Sequence, residues 1–251
     1  MRKVYKTPAG TVPGLYADML RQPHLLVAGA TGSGKSVVVN GLIYNLLYRP
    51  PGDGPQGVQL VLIDPKRVEL AAYRQLPHTI RTATEPEKIR AALIETLRIC
   101  ENRYAQMQRD KLRKWRGGDL YLVIDEFADL MTTQRAAVLP LVQRIAQIGR
   151  AAKIHIILAT QTPIAKVLPT EIKCNFDARL ALRTRSAQDS RNILGVSGCE
   201  TFPRYGVGRY VTPERDALVE IPFYSDSELA ARVEWWTKQN GFNGFFKRLR
   251  L

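Results

Sequence analysis

The stretch HLLVAGATGSGKSVVVNGLIYNLLY, residues 24–48, decides the fold. His24 to Ala28 is a compact apolar run of strand length, and Ser36 to Tyr48 carries apolar residues at helical spacing. Between them Gly29, Ala30, Thr31, Gly32, Ser33, Gly34, Lys35 and Ser36 fit GxxxxGK[ST], in the strand, loop and helix setting that the pattern requires. Glycines let successive backbone N–H groups turn inward around phosphate oxygens, and a helix starting near Lys35 adds its positive end. ATP is the ligand this predicts, with Lys35 on the β- and γ-phosphates and the Ser36 hydroxyl on Mg²⁺.

Upstream, residues 1–19 are punctuated by Pro8, Gly10, Pro13 and Gly14 and form an extended arm leading to the first strand. Downstream, Pro50 to Gly57 is a Pro- and Gly-rich loop before a second apolar strand, Val58 to Ile63, which ends at Asp64, Pro65 and Lys66. Thr84 to Glu87 offers a capping box, and Ile89, Leu93, Leu97, Cys100, Tyr104 and Met107 share one face of the long helix that follows. Leu120 to Ile124 and Ile154 to Ala159 are two more buried strands, flanking a helix with Leu141, Val142, Ile145 and Ile148 on one side. Strands alternating with helices predict an α/β fold, a mostly parallel sheet with helices on both faces, because parallel neighbours need crossovers. The last third is mixed: a strand at Arg179 to Arg183, a helical turn at Ser190 to Leu194 and a Gly-bent strand at Tyr205 to Val211.

The run at Leu120 to Ile124 ends in Asp125 and Glu126, ninety residues beyond Lys35. Ligands of open α/β sheets bind at this strand edge. Asp125 is placed to hold the Mg²⁺ shell and Glu126 to polarise the attacking water, the division of labour that phosphoryl transfer requires. Thr160 and Gln161 end the next strand, where Gln161 either contacts the γ-phosphate or lytic water or makes a plain strand-end hydrogen bond. Asp64 and Lys66 sit at the same edge, either in function or in capping their loop.

Lys and Arg number 37 against 23 Asp and Glu, a net charge of +14 that points to a polyanionic partner, nucleic acid first. Cys100, Cys174 and Cys199 are scattered without a CxxC, which indicates neither a disulfide framework nor a zinc site and fits a cytoplasmic location. Residues 1–14 lack a secretory apolar stretch, and no apolar run approaches the roughly 18 residues of a membrane span.

Taken in order, HLLVAGATGSGKSVVVNGLIYNLLY, VLIDPKRVEL, VIDEFADLM, RIAQIGRAAKIHIILATQTP and SAQDSRNILG resemble successive blocks of the FtsK/SpoIIIE family of DNA translocases. The resemblance spans about residues 20–211 and implies a RecA-like motor working as a homo-hexameric ring on duplex DNA, with ATP hydrolysed at subunit interfaces. It divides the chain into an arm (1–19), a motor domain (20–224) and a C-terminal helix with a basic aromatic tail (225–251). Arg150 in GRAAKIH matches the family's arginine finger, the alternative being a helix-end arginine facing the macrodipole. Lys173 and Arg191 match basic DNA-contacting positions, and Arg185 lies nearby. Two departures weaken the carry-over of the DNA grip: Thr162 stands where the family commonly has arginine and Ala187 where it often has lysine.

The sequence shows no counterpart of the family's membrane segments or winged-helix reading domain. A motor alone is therefore expected, without strong base preference, and with membrane or mobile-element proteins as further partners. In the tail, Phe242, Phe245 and Phe246 alternate with Lys247, Arg248 and Arg250, to stack on single strands, dock a partner, lie on lipid, or simply follow a packed helix. Two rival functions within the superfamily are a conjugative coupling ATPase and a protein-secretion ATPase, and the positive charge disfavours the second.

Overall fold

A computed structural model describes residues 20–248, with side chains as far as residue 238. The arm over residues 1–19 and the tail side chains from Phe242 to Arg250 lie outside what is described. The elements run β1 (His24–Ala28), α1 (Lys35–Leu46), β2 (Val58–Ile63), β3 (Thr79–Ala83), α2 (Pro86–Arg109) and β4 (Asp119–Ile124). They continue with α3 (Phe127–Thr133), α4 (Arg135–Ile148), β5 (Ile154–Thr160), α5 (Thr170–Lys173), β6 (Ala178–Ala181) and α6 (Ala187–Leu194). The described chain closes with β7 (Val207–Thr212), β8 (Arg215–Glu220) and α7 (Asp226–Arg248).

These strands form one eight-stranded sheet in the order β3-β2-β4-β5-β1-β6-β7-β8. The first six are parallel, and β7 and β8 add an antiparallel hairpin beyond β6. The pleat explains why the central strands read as unbroken apolar runs, since alternate residues serve opposite faces and both faces are covered. Leu26, Ala28, Leu122, Ile124, Ile156 and Leu158 pack with Ile89 and Leu93 of α2 and Val142 and Ile145 of α4. Their neighbours Leu25, Val27, Tyr121, Val123, Ile157 and Ala159 pack with Val38, Leu42, Ile43 and Leu46 of α1. Each fully buried aliphatic side chain contributes on the order of 1.5–3 kcal/mol, so the two layers hold the strand ends in fixed register.

α7 lies on the α1 side. Trp236 donates its indole N–H to the Leu47 carbonyl at 2.7 Å and meets the edge of His78, and Arg232 stacks over Tyr48 at 4.0 Å.

Three local features differ from the sequence reading. Strands β3 (TIRTA) and β8 (RDALVE) are edge strands with exposed, polar faces, and they lack the apolar run that marks a central strand. The capping box at Thr84 does not form: the N-cap is Glu85, without a side-chain hydrogen bond, and α2 opens on Pro86. Proline at that position has φ already set for the helix and no N–H that needs an acceptor.

Candidate active site at the carboxyl edge of the sheet

Register aligns the carboxyl ends of the central strands. Ala28 is level with Thr160 and Ala181, and Ile63 with Ile124. Whatever follows those residues in sequence therefore meets at one edge: the Gly29–Ser36 loop after β1, Asp64 after β2, Asp125 and Glu126 after β4, and Gln161 after β5.

The loop is anchored by backbone bonds, from Gly29 N–H to the Thr160 carbonyl at 3.3 Å and from Ala30 N–H to the Arg183 carbonyl at 2.8 Å. Two positions need glycine for different reasons. Gly34, at φ 95°, is the left-handed entry to α1, whereas a Cβ at Gly29 would lie 2.5 Å from Ser33 Oγ and 2.8 Å from Leu182 Cβ. No side chain caps α1, and its first N–H groups have no intrahelical acceptor, so they stay open toward the loop. Lys35, on the first turn, is buried and paired with the equally buried Asp125. Burial raises the Asp125 carboxyl above its ordinary range, and the Lys35 ammonium pulls the other way. Ser36 is half-buried on the same turn.

Glu126 carries the backbone strain of the site, at φ 55° and ψ 67°, a left-handed conformation that costs a non-glycine residue about 1–3 kcal/mol. That turn points its carboxylate along the strand ends. Oε1 accepts from the Thr160 hydroxyl at 3.0 Å and from Gln161 N–H at 3.1 Å, and Oε2 faces Lys66 Nζ at 3.5 Å. Thr160 Oγ1 in turn accepts from Thr162 N–H at 3.2 Å, so one hydroxyl links Glu126 to the backbone leaving β5. The Gln161 side chain accepts from Thr31 Oγ1 at 2.8 Å, joining β5 to the phosphate loop. Asp64 is spent on its own loop: it takes N–H bonds from Lys66, Arg67 and Leu70 at 2.9–3.1 Å.

Lys35, Ser36, Asp125, Glu126 and Gln161 are thus brought together, and Arg150 is not. Exposed after α4, it stands before β5, and the seven residues of that strand separate it from Gln161 by about 20 Å. Lys173, on α5, reaches the Asn192 carbonyl at 3.4 Å, which sets it beside exposed Arg191 on α6. Arg185 is elsewhere: its guanidinium donates to Thr31 Oγ1 at 3.3 Å, on the phosphate loop itself. The sequence reading missed Arg204, whose guanidinium lies 3.1 Å from where a Cβ on Gly32 would stand. Nothing in its local spacing signals this, because β7 carries it to the loop from far along the chain. Among the described residues no cluster of three or more His, Cys, Asp or Glu side chains is arranged to hold a metal, and no helix is long and apolar enough to cross a membrane.

Known proteins agree with this architecture. The chain is 39% identical over 243 residues to the DNA translocase FtsK of Mycobacterium leprae, a match covering 86% of this chain and 29% of that protein. It thus spans about a third of the length of the curated relatives it matches. Among solved structures, the conjugation coupling protein TcpA of pCW3 superposes with a TM-score of 0.74 at 21% identity, over 87% of this chain and 66% of that one. The type VII secretion ATPase EccC of Thermomonospora curvata gives 0.72 at 23%, over 85% and 28%. These likenesses show a RecA-like P-loop ATPase fold. The FtsK/SpoIIIE family model matches residues 12–122 and 118–165, a span that takes in the phosphate loop, both carboxylates, Arg150 and Gln161. The chain belongs to the FtsK/SpoIIIE family, and its Gly29–Ser36 segment carries the P-loop sequence pattern.

Proposed function

We propose that this chain is the motor of an ATP-dependent DNA translocase, hydrolysing ATP with Mg²⁺ and moving along duplex DNA as a homo-oligomeric ring, a hexamer on the family pattern. The observation that carries the proposal is the meeting of Lys35, Asp125, Glu126 and Gln161 at one sheet edge in a member of this family. The donor set suits the metal: Mg²⁺ takes one or two hard protein oxygens with phosphate and water, and Ser36 and Asp125 supply a hydroxyl and a buried carboxylate. When bound it neutralises charge on the β- and γ-phosphate oxygens. Lys35 contributes a further positive charge to the same oxygens. Glu126, held by Thr160 and Gln161, orients the attacking water and accepts its proton, while Gln161 stands between that water and Thr31. Arg150 is too far from its own P-loop to act there, so it serves the site of a neighbouring copy, which makes turnover depend on assembly.

Of the three basic DNA candidates, Lys173 and Arg191 stay with DNA and Arg185 is reassigned to the nucleotide edge by its bond to Thr31. The net charge of +14 supports a nucleic-acid substrate over a polypeptide. The test is steady-state ATPase activity without nucleic acid and with duplex DNA, single-stranded DNA or RNA, across salt concentrations. Strong stimulation by duplex that fades with salt is expected, with Lys35→Ala inactive throughout. A rate indifferent to every nucleic acid would overturn the DNA assignment and leave only the ATPase.

A further inference from the structure

Helices α2 and α4 pack together and end at the edge where the strands begin, opposite the Gly29–Ser36 loop, and a groove of about 680 Å³ opens between their last turns. Tyr104, Met107, Leu112 and Ile148 form its apolar floor, and Arg113 and Arg144 stand over it, with Glu101 the one carboxylate on its wall. The Tyr104 hydroxyl donates to the Ile148 carbonyl at 2.9 Å and ties the two helices together, yet the residue stays 37% exposed. A concave apolar surface with a polar rim marks an interaction site.

The lip of the groove is held in place at both ends. Lys111 takes a left-handed backbone, φ 54°, which a non-glycine residue keeps only where its surroundings hold it, and the chain folds back so that Leu112 N–H reaches the Met107 carbonyl at 2.8 Å. Further on, Trp115 N–H donates to the Ala151 carbonyl at 2.9 Å, and its ring lies against the Arg103 guanidinium. Over residues 109–116 the charge is nearly all of one sign: Arg109, Lys111, Arg113, Lys114 and Arg116 are exposed, against Asp110 alone. Elsewhere on the surface basic side chains have carboxylate partners, as Arg81 has Glu95, Lys88 has Glu85 and Arg209 has Asp216. Among the described residues none of these five, nor Arg144, is paired with a carboxylate.

We propose that this groove docks an acidic amphipathic helix of a partner protein, with its apolar face on Tyr104, Leu112 and Ile148 and its carboxylates at Arg113 and Arg144. Charge decides between the occupants. The arm of this chain carries Arg2, Lys3 and Lys6 against Asp18, and the tail beyond residue 238 carries Lys247, Arg248 and Arg250 with no acid. A second copy brings the same net charge of +14, so each of these is repelled by the rim. Duplex DNA matches the rim but leaves the apolar floor uncovered, whereas a helix with one acidic and one apolar face matches both. The groove lies at the far edge from the Gly29–Ser36 loop, and the proposal does not depend on the ATPase reading.

The experiment is fluorescence anisotropy of the whole chain with a labelled helical peptide of glutamate and alanine that carries leucines at i, i+3 and i+7. Two control peptides replace its glutamates by lysine or its leucines by alanine. The parent chain is expected to bind the first peptide roughly ten-fold more tightly than either control, with affinity falling as salt rises. Arg113→Glu and Arg144→Glu should each lose roughly ten-fold for it at unchanged melting temperature, and Leu112→Ser should lose less. No preference over the lysine peptide overturns the proposal, as does equal binding of the leucine-free peptide, which would mean charge attraction without a groove. Charge reversals that bind as the parent does overturn it too, since the peptide would then sit elsewhere. Two further outcomes overturn it by reassigning the surface. A duplex oligonucleotide whose affinity falls roughly ten-fold in Arg113→Glu would make it a nucleic-acid contact, and a sedimentation mass that falls in the same variant would make it a contact between copies.

Discussion

The two edges of the sheet bury comparable charge and do different things with it. At the amino edge Arg103 donates to the carbonyls of Ala152 and Lys153 and to Asp53, and its guanidinium lies over Trp115. Asp119 takes both Arg49 and His155, and the other His155 nitrogen reaches the Gln22 carbonyl. Burial alone would raise the Asp119 carboxyl, but those two partners hold it down at about 2. At the carboxyl edge, Lys35 and Asp125 have each other and, among the described residues, no other side-chain partner. Buried charge marks a site where the fold leaves it coordinatively open, and marks scaffolding where the fold saturates it.

This contrast is broken most sharply by the residues to which the proposed mechanism assigns turnover. Glu126→Gln should bind ATP and turn it over about 10³-fold more slowly without shifting the melting temperature. Arg150→Ala, although at the amino edge, should lose turnover to a similar extent and keep nucleotide affinity. Full turnover in Arg150→Ala would return that residue to the scaffold. Next in size, Arg103→Met leaves Asp53 and two carbonyls without their donor and should cost about 3 kcal/mol in urea unfolding, with the ATPase rate per folded molecule unchanged.

Acid should loosen the amino edge through His24, whose Nε2 faces the Ala146 carbonyl at 2.9 Å while Nδ1 accepts from Ile156 N–H. Burial, helped by the nearby His155, lowers its pKa from 6.5 to about 4. The folded protein keeps this ring neutral where the unfolded chain takes up a proton. Stability is therefore full above pH 6.5 and declines toward pH 4, by roughly 3 kcal/mol in total. Urea midpoints that stay level between pH 6.5 and 5 would exclude His24 as the cause. The smallest effect sharpens the role of the carboxyl edge: Thr160→Val removes one of the bonds that hold Glu126 and should lower kcat about ten-fold at unchanged KM, with Thr160→Ser restoring it.

The central strands and the segments that follow them at the carboxyl edge were legible in the sequence because both depend on local order. Apolar runs of strand length announce strands buried on two faces, and the P-loop and Asp125–Glu126 pair follow two of them directly. The edge strands β3 and β8 were not legible, because half of each faces water and needs no apolar pattern. Asp64 and Arg185 show the limit for single residues. The first turned out to close its own loop, and the second to sit on Thr31 instead of beside Lys173 and Arg191.

By itself, then, the sequence determined the α/β alternation, the P-loop and the carboxylate pair, since periodicity and motif spacing are set by neighbours along the chain. Only the tertiary structure decided which distant residues share the loop. Thr160 at Glu126 and Arg204 at Gly32 depend on strand order and register, and those are settled by packing between elements far apart in sequence.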